Sequence, residues 1–201
     1  FEENISTETD EQGNPSKKSI WESKTPIFKG QESTEDLKFA PRSKGLVLAT
    51  CSSEGHLYTY DLKDLQNPKE TAKVAVNKNG LLCLTWNKNS FERDMIIVGA
   101  RGGKEKERVK PTLSLWHMRP DNSQWAQLAE LVTQGQGHFD SVYDVSWSAL
   151  NGRSFHYVAS CGKEGVFVWK IKILSLSVEI LDLKTFQPDP EASPICTSWN
   201  L

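Results

Sequence analysis

The sequence predicts an all-β fold of repeated four-stranded units, and three observations carry that expectation. One block recurs three times and begins a fourth: a short strand ending in an aromatic, a second apolar strand closing on small residues, a Gly turn, and a third strand ending in an aromatic. The first-strand aromatics Phe39, Trp86, Trp147 and Trp199 stand 47, 61 and 52 residues apart. A four-stranded repeat needs about 40–45 residues, and the excess lies in polar segments such as 101–110 and 119–124. The third observation is the punctuation. Short β-branched or aromatic runs are bounded by Gly, Pro, Asn and Asp, and no segment sustains a 3.6-residue period.

Residues 1–35 are polar and broken by Gly13, Asn14 and Pro15, the composition of a linker or of the end of a preceding unit. Within them, 20–24 and 26–29 are candidate outer strands. Residues 36–80 hold strands at 36–41, 46–51 and 55–60 and an outer strand at 71–76. Residues 81–137 repeat this with 81–86, 95–99, 112–116 and 125–132. The run Met95-Ile-Ile-Val98 fits a strand buried on both faces. Residues 138–193 supply 141–147, 157–162, 165–169 and 178–183, and 194–201 repeat only the first strand.

A repeat of this size and content is the signature of a WD-repeat β-propeller. About three full blades plus partial ones are fewer than the four to eight that close a ring. The chain is therefore expected to be a fragment, or the ordered portion, of an open ring, with a strand edge and a half-covered core exposed at each end. Alone it is not expected to behave as a stable monomer, because uncapped repeats lose solubility.

A formal net charge of −2 and a pI of about 6.1 leave no electrostatic footprint for nucleic acid. The basic run 104–110 is interrupted by Glu105 and Glu107 and reads as a solvated loop. No apolar stretch approaches the ~20 residues of a membrane span. Cys51, Cys83, Cys161 and Cys196 all fall in predicted strands without Cys-x-x-Cys or zinc spacing. They read as reduced core thiols, which points to the cytosol or nucleus.

The constellation with the most chemistry is His138 before a first strand, Ser160 in the second, Glu164 in the turn and Trp169 in the third. In WD repeats a His, Ser or Thr, Asp and Trp in these places form a hydrogen-bonded tetrad that pins loops to strands. Glu164 stands at the Asp position, and its extra methylene is expected to loosen the geometry. Thr50, Glu54 and Tyr60 keep part of the pattern, and the insertion after Gly99 is expected to destroy the turn there. The same residues could be misread as a hydrolase triad, but Ser160 lies inside an apolar strand with no Gly-x-Ser-x-Gly elbow. His56, His117 and His156 read as isolated, and Gly102-Gly103-Lys104 as a turn rather than a phosphate cradle. No catalytic residue, metal or cofactor is expected.

Leu37-Lys-Phe-Ala-Pro41 with Gly45-Leu-Val-Leu-Ala-Thr-Cys-Ser52 resembles the third blade of the SEH nucleoporin family, the Sec-thirteen homologues. Cys83-Leu-Thr-Trp-Asn87 with Met95-Ile-Ile-Val-Gly99 resembles the fourth, and Asp144-Val-Ser-Trp147 with Gly152-Arg-Ser-Phe-His156 the fifth. The resemblance implies an open six-bladed propeller completed in trans by a blade from an α-helical scaffold nucleoporin of the Y-shaped nuclear pore complex. It implies a non-enzymatic role in protein and mRNA transport at the nuclear envelope, without direct nucleic-acid contact. The alternatives are a nutrient-signalling scaffold of the SEA/GATOR type at the lysosomal or vacuolar surface, and a Sec-thirteen-like vesicle-coat subunit.

Overall fold

In the computed structural model, residues 2–9, 15–22, 32–103, 110–121, 123–149, 152–187 and 194–199 are described. They fall into two compact units, 1–31 and 32–201. The first is an antiparallel hairpin of β1 (Glu2–Thr9) and β2 (Pro15–Glu22), in register from Glu2 opposite Glu22 to Thr9 opposite Pro15. Composition had suggested loop for most of this stretch. β-Branched Ile5, Thr7 and Thr9 suit an extended chain despite their polar neighbours, and backbone pairing does not require apolar side chains. Strand β2 includes Ile20 and Trp21, whereas the candidate strand at 26–29 lies outside the described residues.

The second unit holds three four-stranded antiparallel meanders. Blade one is β3 (Thr34–Phe39), β4 (Val47–Ser52), β5 (His56–Asp61) and β6 (Lys69–Ala75). Blade two is β7 (Leu81–Trp86), β8 (Met95–Ala100), β9 (Leu113–Met118) and β10 (Trp125–Glu130). A two-residue ribbon of β11 (Val132–Thr133) and β12 (Gln136–Gly137) leads to blade three. That blade is β13 (Val142–Trp147), β14 (His156–Gly162), β15 (Gly165–Ile173) and β16 (Val178–Phe186). One 3-10 turn, Arg42–Lys44, interrupts the otherwise all-β unit. Among the described residues no helix is long and apolar enough to cross a membrane.

The blades stack face to face, and strand alternation decides which residue enters which seam. In blade two, Leu84, Trp86, Ile96, Val98 and Trp116 join Ala49, Cys51 and Leu57 of blade one in one core. Cys83, Met95, Ile97, Leu113 and Leu115 join Val142, Val145, Trp147, Val158, Phe167 and Trp169 of blade three in the other. Every residue of β8 is buried, because both of its faces are covered. Each first strand carries a bulge at the same place, between Thr34 and Asp36, Leu81 and Cys83, and Val142 and Asp144. The bulge re-aims the residue that follows it.

At both ends of the arc the strands of the terminal blades are paired within their own four-stranded sheets. On blade one, Leu37 and Phe39 are 51% and 58% exposed on the face turned away from blade two. Beyond blade three, residues 194–199 follow the path of a first strand without forming one. Cys196 is exposed there, in contrast to buried Cys51, Cys83 and Cys161, because no second strand covers it. Burial pushes the thiol of Cys51 up to about 12 and that of Cys161 up to about 11, so both stay protonated and unreactive.

Gly99 sits where blades two and three pack closely. A Cβ there would lie 2.5 Å from Cys83 Sγ and 2.8 Å from Val142 Cγ1. Gly99→Val is expected to lower stability by about 1–3 kcal/mol through overpacking, read as a drop in Tm. An unchanged melting curve would mean that the seam is loose.

Candidate functional site

His138, Ser160, Glu164 and Trp169 lie together at the end of blade three that carries the β14–β15 turn. His138 and Ser160 are fully buried. The Trp169 indole N–H donates to Ser160 Oγ at 2.9 Å, and Ser160 Oγ lies 2.9 Å from His138 Nε2. His138 Nδ1 is 3.3 Å from Glu164 Oε2. With the imidazole proton on Nδ1, the donors run in one direction: Trp169 to Ser160, Ser160 to His138, His138 to Glu164. Phe167 covers the imidazole, with ring centroids 4.3 Å apart.

The expected loosening at Glu164 does not occur. The longer side chain reaches the loop ahead of β13, where its Oε1 accepts the backbone N–H groups of Phe139 at 2.9 Å and Asp140 at 2.6 Å. Burial raises the Glu164 pKa, but the bonds from His138, Phe139 and Asp140 outweigh this and hold it below the ordinary carboxylate range. The Ser160 hydroxyl is buried and engaged on both sides rather than exposed as a nucleophile needs to be, and the Glu164 bonds tie the loop ahead of β13 to the β14–β15 turn.

The other blades satisfy the equivalent aromatic by different means. Tyr60 occupies the Trp169 position and bonds Thr50, the counterpart of Ser160. In blade two that counterpart is Val98, which has no hydroxyl, and the Trp116 indole donates instead to Ser114 Oγ at 2.9 Å. Glu54 has no described role in these networks, and Glu32 is the hub of blade one. Its carboxylate accepts from Ser52 Oγ at 2.6 Å and Lys73 Nζ at 2.9 Å and lies 3.0 Å from His56 Nδ1. Partial burial raises the Glu32 pKa, yet bonds from Ser52, Lys73, Tyr58 and His56 bring it down to about 2. The turn expected to be lost to the insertion after Gly99 falls at 104–109, outside the described residues. Ala100 N donates to Thr112 O across its base, and Thr112 Oγ1 donates to Asp140 O at 2.6 Å.

The histidines expected to be isolated have partners. His156 accepts the Trp147 indole N–H at 3.2 Å and faces Glu92, and His117 Nδ1 lies 3.2 Å from Arg93. Among the described residues no group of three His, Cys, Asp or Glu is placed to hold a metal ion.

A second set of residues, not singled out from the sequence, joins blade to blade. Asp36 Oδ2 accepts Leu84 N at 3.0 Å, and the Trp86 indole donates to Lys38 O at 2.9 Å. The pattern returns two seams later. Asp144 Oδ2 accepts Thr197 N at 2.6 Å and Thr197 Oγ1 at 3.2 Å, and the Trp199 indole donates to Ser146 O at 2.9 Å. The signal was present: Asp36-Leu-Lys-Phe39, Cys83-Leu-Thr-Trp86, Asp144-Val-Ser-Trp147 and Cys196-Thr-Ser-Trp199 alternate Asp and Cys at one position. Where Cys83 replaces the carboxylate, its thiol meets Val142 O at 3.6 Å and Thr85 Oγ1 accepts Trp147 N at 3.3 Å.

Among curated proteins, the chain is 28% identical over 151 residues to nucleoporin SEH1 of Homo sapiens. It is 26% identical over 153 residues to nucleoporin SEH1 of Danio rerio, and 25% identical over 149 residues to nucleoporin SEH1-A of Xenopus laevis. The chain is similar to the SEH1 nucleoporins. Each match takes in 73% of the chain, and the chain spans 40% of the length of these SEH1 relatives. No family model matches it.

Two measurements test the polar networks. His138→Ala strands Ser160 and Glu164 and is expected to cost about 1–3 kcal/mol, with partner binding intact at saturation. Lost binding with an unchanged Tm would assign His138 to an interface instead. Glu32 has a pKa of about 2 when folded against an ordinary 4.5, so its stabilisation is complete above the ordinary value and lost as pH falls toward 2. Glu32→Gln is therefore expected to flatten the fall in Tm between about pH 5 and pH 2. An equally steep fall in the variant would remove Glu32 as the cause.

Proposed function

We propose that the chain is part of a non-enzymatic protein-interaction scaffold, a structural nucleoporin of the Y-shaped nuclear pore coat. In that role it serves nucleocytoplasmic transport of protein and mRNA at the nuclear envelope. The observation that carries this reading is the similarity to nucleoporin SEH1 over 73% of the chain. A further feature supports it: the described polar constellations are consumed within and between blades. A fourth blade has a ready seat on blade three, where Asp144 and Ser146 already hold residues 194–199.

The reading extends to the partner. An α-helical scaffold nucleoporin contributes a blade in trans that completes the ring, pairing with blades other than the three described. The His138, Ser160, Glu164 and Trp169 network is structural in this account: it fixes the loop ahead of β13 so that the blade keeps its shape while partners act on other surfaces. The propeller formed is an open six-bladed ring, in which residues 36–80, 81–137 and 138–193 are successive blades.

Affinity purification of the tagged, full-length protein, with imaging of its location, tests the proposal. Recovery of α-helical pore scaffold subunits and a signal at the nuclear rim are expected. Recovery of SEA/GATOR subunits with a lysosomal or vacuolar signal, or of vesicle-coat subunits alone, would replace it with the corresponding scaffold role.

A further inference from the structure

At the end of the blades opposite the His138 network, the β7–β8, β9–β10 and β15–β16 loops enclose a cleft of about 700 Å³. That is within the range of pockets that hold a small ligand or a few peptide side chains. Arg93, His117 and Arg119 line it, with Asp121, Ser175 and Leu176.

The charges in this cleft are unbalanced. Arg93 spends its donors on neutral acceptors: Nη1 lies 3.2 Å from His117 Nδ1, and Nη2 donates to Ser175 O at 2.5 Å. The Arg119 guanidinium has no hydrogen bond or ion pair among the described residues, and no ion pair there joins either arginine to Asp121. The neighbouring acids are engaged elsewhere, Glu92 with His156 and Asp94 with Lys44. Two guanidiniums thus share one cleft with a single carboxylate among its described lining residues, on a chain whose net charge is −2. His117 registers the imbalance. Burial and the nearby charges of Arg93 and Arg119 hold its pKa below the ordinary histidine value. Beside the charges, Leu176 is 81% exposed.

We propose that this cleft binds an anionic peptide side chain, a carboxylate or a phosphoserine, between Arg93 and Arg119, with a neighbouring apolar residue of the peptide against Leu176. Guanidinium groups match forked oxyanion acceptors with short, charge-assisted hydrogen bonds. Arg93 is pre-positioned by Ser175 and His117, so little side-chain freedom remains to be lost on binding. The occupant is an acidic segment of a partner protein, and the site is independent of any blade that covers the open faces of the arc.

The test uses the intact protein and three fluorescein-labelled peptides of one length: an Asp/Glu-Leu sequence, the same frame with phosphoserine, and the same frame with Asn and Gln for the acids. Binding is read by anisotropy at two salt concentrations. The acidic or the phosphoserine peptide is expected to bind at least about tenfold tighter than the neutral one, and to weaken with salt. Whichever binds tighter identifies the source of the anion. Arg93→Ala would also cut the bond to Ser175, so Arg119→Glu carries the test. It is expected to abolish the preference for charge while leaving Tm unchanged. An independent readout is the imidazole of His117, whose NMR titration midpoint should rise when the anionic peptide neutralises the two arginines. Equal binding of all three peptides, or an unaltered charge preference in Arg119→Glu, would overturn the proposal.

Discussion

Each sheet in the arc has two apolar faces and only its neighbours to bury them against, and the rest of the structure follows from that constraint. Blade two is covered on both sides, so successive residues of Met95, Ile96, Ile97 and Val98 enter alternate cores and all are buried. Close stacking leaves no room for a side chain at Gly99. It also brings the first strands near enough for Asp36 to reach the backbone of Leu84 and for Trp86 to reach the carbonyl of Lys38. On blade one, the face turned away from blade two retains exposed Leu37 and Phe39.

Burial on this scale strands polar groups, and each blade answers for itself. An indole N–H shut away from water must find an acceptor. Trp169 finds Ser160, Trp116 finds Ser114, Trp147 finds His156, and Trp86 and Trp199 cross a seam to a carbonyl. The aromatic positions repeat while the acceptors vary. What the fold requires is satisfaction of the donor, not one particular tetrad. Glu164 illustrates the same freedom, since its added length is taken up by two backbone donors in the preceding loop.

The described surfaces differ in kind. The face of blade one turned away from blade two carries apolar Leu37 and Phe39, whereas the cleft between blades two and three is lined by Arg93 and Arg119. His138, Ser160 and Trp169 are turned inward and bonded to one another.

The repeat, the all-β class and most strands could be read from the sequence, because a strand's aromatic end, alternation and Gly turn are local properties. The members of the His138 network were legible for the same reason, since repeat position alone brings them into one blade. Other features depended on tertiary neighbours. Cys196 sits in a strand-like sequence yet is exposed, because burial needs a second strand that 194–199 lack. The hairpin Glu2–Thr9 with Pro15–Glu22 hid behind polar composition, which reports solvation and not backbone pairing. The Asp and Cys alternation was visible as a pattern, but only the neighbouring blade shows which N–H each carboxylate meets. Arg93, Arg119 and Leu176 belong to three loops and His117 to strand β9, spread over two blades, and no periodicity links them. The sequence by itself determined which segments become strands and which residues face inward within a blade. Tertiary structure decided which faces are covered and which charges converge, because those depend on contacts between blades that local pattern does not encode.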